Sequence, residues 1–103
     1  MTLPTLSDAE IAEITALIQT LPGQWKVFPH LGTDGEATLH LAPALWDGED
    51  AGVVMQPGPE GIRVMLVVAD EIAELGHAGS VWAAVSMAWR AATRRVRHAI
   101  PAI

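Results

Sequence analysis

Apolar residues at helical spacing open the chain. Ile11, Ile14, Leu17, Ile18 and Leu21 recur at steps of three and four, which lines them along one side of a helix. Ser7 and Glu10 have the Ser-x-x-Glu spacing of a capping box, and Leu6 and Ile11 flank the cap as a hydrophobic staple. Asp8, Glu10 and Glu13 place negative charge in the first turns, where it complements the helix dipole. Leu21-Pro22-Gly23 stops the helix.

The period then changes from near four to two. Gln24 to Leu31 and Glu36 to Ala42 read as strands joined through Thr33-Asp34-Gly35, a three-residue hairpin loop ending in glycine. That register puts Trp25, Val27, Leu31, Ala37, Leu39 and Leu41 on one face. Lys26, Phe28, His30, Thr38 and His40 share the other. A two-residue turn at Asp34-Gly35 would set His30 opposite Leu39 and mix the faces, so face polarity selects the longer loop.

Pro43 to Ala51 reads as a loop around Trp46. Gly52 to Gln56 and Gly61 to Ala69 form a second hairpin across Pro57-Gly58-Pro59-Glu60-Gly61. The nearly unbroken apolar run from Ile62 to Val68 predicts an inner strand covered over much of both faces. Asp70 to Leu75 reads as a short helical turn ended by Gly76. The last helix starts near Ser80, with Trp82, Val85, Trp89, Ala92 and Val96 in one arc expected to pack on the sheet. Arg90, Arg94 and Arg97 cluster about a third of a turn from that arc, and Arg95 lies elsewhere.

The fold class expected is α+β: a single domain over residues 1–103, in the order α-β-β-β-β-α. A four-stranded antiparallel meander is flanked by an N-terminal and a C-terminal helix. Both helices most simply cover one sheet face and leave the other partly open. One helix on each face is the alternative.

Composition narrows the chemistry. Cysteine is absent, which excludes disulfides, thiolate metal sites and cysteine nucleophiles. Four Trp accompany one Phe and no Tyr, so large side-chain area is concentrated in a few places. Met1 to Glu10 lacks a basic segment followed by an apolar stretch, so no signal peptide is expected. The longest apolar run, Val64 to Ala69, is too short to span a bilayer. A cytoplasmic protein without a membrane partner is the expectation.

Charge is split along the chain. All twelve carboxylates lie between Asp8 and Glu74, where Lys26 and Arg63 are the only bases, a formal −10. Residues 75–103 carry four arginines and no acid. Such a split steers partners and sets solubility without choosing a fold.

Four constellations could carry function. His30 and His40 are diagonal neighbours near the Asp34 and Glu36 turn. A catalytic zinc takes three protein ligands and a water, so no metal and no cofactor is expected from two histidines. His77 and Ser80 lie in the Gly-rich Gly76-His77-Ala78-Gly79-Ser80, which has no phosphate-loop pattern and reads as a turn plus an N-cap. The arginines of the last helix could touch phosphates, but the −10 body repels a polyanion, and direct nucleic-acid binding is not expected. Asp47, Glu49 and Asp50 surround Trp46 and make an acidic loop with an aromatic centre, suited to a basic partner. For Trp46 the competing reading is burial at the core edge.

Leu6-Ser7-Asp8-Ala9-Glu10, Leu21-Pro22 and Trp25-Lys26-Val27 resemble the opening of pterin-carbinolamine dehydratases, over about a quarter of the chain. That family's His-His-Pro cluster has no counterpart, since no two histidines are adjacent. The activity is not carried over.

The resulting functional expectation is a small acidic, non-enzymatic protein-interaction module of the inhibitor or immunity type, from a phage, plasmid or toxin system. It would bind a basic surface of a larger nucleic-acid-handling partner through Trp46, Asp47, Glu49, Asp50, Asp34 and Glu36, with Arg90, Arg94 and Arg97 as a secondary surface. No catalytic residue is assigned. The alternative is a small enzyme or ligand-binding domain with a histidine site on the open sheet face, built with His30, His40 or His77 at a homo-oligomer interface.

Overall fold

A computed structural model describes residues 6–31, 37–46, 51–58, 61–69 and 71–99, the side chains of 31 and 95–99 excepted. The described residues form two α-helices and a five-stranded antiparallel sheet. The order is α1 (Asp8–Gln19), β1 (Lys26–Leu31), β2 (Ala37–Ala42), a 3-10 turn (Ala44–Trp46), β3 (Ala51–Gly58), β4 (Gly61–Val68), β5 (Glu71–Ala78) and α2 (Val81–Ala99). The strands follow one another across the sheet as a meander.

Helix α1 begins as its sequence predicts. Ser7 Oγ accepts from the Glu10 amide at 3.1 Å, and Glu10 Oε1 accepts from the Ser7 amide at 3.0 Å. Two amide donors that the helix leaves orphaned are thereby satisfied. Ser7→Ala is expected to destabilise the protein by about 1 kcal/mol, with Ser7→Asp recovering most of it, as chemical denaturation would read. Ile14 and Ile18 are fully buried, and Ile11, Leu17 and Leu21 pack around them.

The β1–β2 register is the one that the three-residue loop demands. Phe28 faces His40 and His30 faces Thr38 across the ladder. The loop itself lies outside the described residues.

The fifth strand corrects the sequence reading. Residues 71–75, expected as a helical turn, belong to β5, which pairs with β4 from Val68↔Glu71 to Ile62↔Ala78. Glu71, Ala73 and Glu74 favour a helix on local propensity. Tertiary demand overrides that: β4 is apolar on both sides, and without β5 its outer edge would expose a row of unpaired amides and carbonyls. A bulge at Val64/Met65 and the left-handed Gly76 (φ 140°) absorb one extra residue. A cross-strand ion pair from Arg63 Nε to Glu74 Oε1, at 3.0 Å, joins the two strands.

Both helices lie on one face of the sheet. A single buried cluster joins Leu6, Ile14 and Ile18 of the N-terminal segment to Leu39, Leu41, Val53, Met55, Ile62 and Val64, and to Val81, Ala84, Val85, Ala88 and Ala92 of α2. The arc expected to carry α2 onto the sheet is rotated. Its buried stripe consists of Val81, Ala84, Val85, Ala88, Ala91 and Ala92, while Trp82 is 66% exposed and Trp89 only partly buried. Alanines let the helix axis sit close to its neighbours, and a tryptophan in the stripe would hold it off. Arg90 and Arg94 consequently face away from the core, and both are exposed.

Candidate functional site: the open face of the sheet

Side chains alternate across each strand, so the pairing registers define the second sheet face. One row runs Phe28, His40, Val54, Met65 and Glu74 from β1 to β5. A second row holds Lys26, Ala42, Gly52, Val67 and Ile72, whose successive pairing follows the same registers. His30 and Thr38 lie at the other end of the β1–β2 ladder, as Arg63 and His77 do at the β4–β5 ladder. Of these residues only Ala42 packs against the helix-covered core.

The face is apolar in the middle and uncovered at its margins. Val54 and Met65 are buried by their neighbours, yet Phe28 is 57% and Ile72 66% exposed. Between Phe28 and Val67 the small residues Ala42 and Gly52 leave a shallow depression of about 290 Å³, walled by His40 and Val54. Gly52 has ordinary strand geometry, and a Cβ there would meet only the Leu41 carbonyl oxygen, at 3.4 Å. Its missing side chain makes the depression.

Charge on this face departs from the rest of the body. The two bases among residues 1–74, Lys26 and Arg63, both belong to it. Its one acid among the described residues, Glu74, is engaged by Arg63. Asp8, Glu10 and Glu13 are on α1, behind the other face. Among the described residues the open face thus carries two bases and one acid, on a strongly acidic molecule.

His30 and His40 meet on it, with ring centroids 5.4 Å apart and planes tilted by 60°. Partial burial, and secondarily the His30 charge, hold the His40 imidazole below the usual histidine range. A depressed folded-state pKa favours folding above the ordinary value of 6.5 and loses that contribution as pH falls below it. His77 shares the face but sits on β5, roughly 19 Å of sheet away at the usual strand spacing. It lies 4.0 Å from Glu74 and does not join the pair.

The other residues singled out in the sequence are distributed differently. Trp46 is buried and packs against Trp25, with centroids 6.5 Å apart, in keeping with the core reading of that residue. Asp34, Glu36, Asp47, Glu49 and Asp50 lie outside the described residues, as does the Arg97 side chain. Arg90 and Arg94 make no ion pair among the described residues. Ser80 Oγ accepts from the Ala83 amide at 3.1 Å and so caps α2. Among the described residues no cluster of three histidines and carboxylates forms, and no helix is long and apolar enough to cross a membrane.

A second concavity, about 220 Å³ and nearly wholly apolar, lies between α2 and the loops at Pro22 and Pro43, lined by Trp25, Leu45 and Trp89 among others. Among the described residues that line it, none is titratable.

Architecturally this is a one-sided α+β meander whose free sheet face carries an apolar centre and a histidine pair. Comparison with protein-family models, with curated proteins and with solved structures finds no match.

Proposed function

We propose that the protein is a protein-interaction module and that the open face of the sheet is its binding surface. One observation carries this: both helices pack on the same side, and the opposite side presents Phe28, Ile72 and the Ala42–Gly52 depression around an apolar centre. Apolar surface of this kind, rimmed by polar groups, marks contact sites on otherwise well-buried domains. The described charges of this face, two bases and one acid, favour it too, because a surface dominated by acids repels acidic partners and needs a basic one.

The inhibitor or immunity-type role, through the acidic segments at Asp34–Glu36 and Asp47–Asp50, is the second reading. The −10 charge of residues 1–74 favours it. With Trp46 in the core, that reading rests on its acids.

Two variants separate the readings. Phe28→Glu with Ile72→Glu alters exposed positions and is expected to leave folding stability within about 1 kcal/mol. Asp47→Lys with Glu49→Lys and Asp50→Lys reverses the acidic loop. Partners recovered from the source cell by the native protein should be lost by the first variant and kept by the second. The opposite pattern transfers the function to the acidic loop, and retention by both removes the sheet face as the binding surface.

A further inference from the structure

We propose that His30 and His40 are half of a transition-metal site, which the same two histidines of a second copy complete when two open faces dock. The proposal rests on reading the open face as an interface, and it names the occupant: another molecule of this chain.

Geometry is the first support. A tetrahedral zinc with Zn–N bonds near 2.05 Å sets two coordinating imidazole centroids about 5.2 Å apart. The His30 and His40 rings stand at 5.4 Å. They already occupy that spacing, on a rigid ladder rather than in a loop.

Ligand number is the second. One copy supplies two imidazoles, and among the described residues no third histidine or carboxylate joins them. A structural zinc site needs four protein ligands. A two-fold axis between facing sheets supplies the missing pair, because an isologous contact brings the same patch from each protomer. Sheets packed face to face lie about 10 Å apart, a gap that two opposed histidines and a shared ion can bridge.

Electrostatics and burial are the third. Two copies of net charge −6 repel, and the described charges of the open face, Lys26, Arg63 and Glu74, add little to that repulsion. Docking also covers Phe28 and the neighbouring depression.

The test uses untagged full-length protein with zinc chloride or cobalt chloride as the only additive. Sedimentation and native mass measurement with and without chelator should show a dimer holding one ion per two chains. Cobalt should give the absorption of a tetrahedral nitrogen site. His30→Ala and His40→Ala, both at exposed positions, should each weaken uptake by at least the roughly 10- to 100-fold that loss of an outer-sphere partner costs. His77→Ala should leave it unchanged.

Uptake of one ion per chain without dimerisation, uptake indifferent to His30→Ala and His40→Ala, or no uptake at micromolar zinc each overturns the metal site. In those cases a metal-independent dimer or partner that is lost in the Phe28→Glu, Ile72→Glu variant leaves the interface reading standing. If that variant also changes nothing, both readings fall.

Discussion

Trp46→Ala should cost about 3–5 kcal/mol of folding stability, the range for emptying a core aromatic site. At this chain length the melting midpoint should fall by on the order of 15 °C or more. Trp46 is 3% exposed, and its ring packs on Trp25, which is equally buried. Trp25 is itself fixed from two sides, its Nε1 donating to the Pro22 carbonyl and its own carbonyl accepting from Gln19 Nε2, each at 3.1 Å. Loss of the Trp46 ring therefore opens a cavity beside a side chain that is not free to collapse into it. Trp82→Ala supplies the comparison: at 66% exposure it should change stability by no more than about 0.5 kcal/mol. Thermal denaturation of the two variants decides the matter. A neutral Trp46→Ala would take that side chain out of the core and give it back to the acidic loop as a contact residue.

Gly61→Ala should cost about 3 kcal/mol or more and should loosen β5 selectively. Gly61 has φ +126°, a conformation costing a side-chain-bearing residue about 1–3 kcal/mol. An added Cβ would also collide with the carbonyl oxygen of Ala78, a backbone atom that cannot rotate aside. That carbonyl sits where Ile62 and Ala78 pair, at the junction of β5 and β4. Hydrogen exchange should show faster opening of the β5 amides than of those in β2 or β3. Gly52→Ala is the matched control, since its new Cβ would find ordinary contact and the change should stay within about 1 kcal/mol. If Gly61→Ala proved as stable as the native chain, the pairing of residues 71–78 with β4 would be refuted.

Local signals made much of this molecule legible. The Ser7–Glu10 capping box, the Ile14–Ile18 stripe and the β1–β2 register each depend on residues close in sequence, and each is as the pattern predicts. The histidine pair was legible for the same reason, since a hairpin register fixes which residues become diagonal neighbours. The fifth strand was not. Residues 71–75 favour a helix taken alone, and only the open edge of β4 makes them a strand. Trp82 misled because an arc of large apolar residues looks like a packing face, whereas the alanines at 84, 88, 91 and 92 allow the closer approach.

Sequence alone determined the two long helices, which residues lie on each face of the first hairpin, and that acids crowd the first part of the chain. The tertiary structure decided that both helices share one side of the sheet and that Trp46 is core. It also left open the face that carries Lys26 and the histidine pair, and added Arg63 to it. Periodicity is a local property, set by the 3.6- and 2-residue repeats of the backbone. Which face of a sheet receives the helices is settled by the most complete burial of apolar area over the whole chain, and no window of sequence contains that comparison.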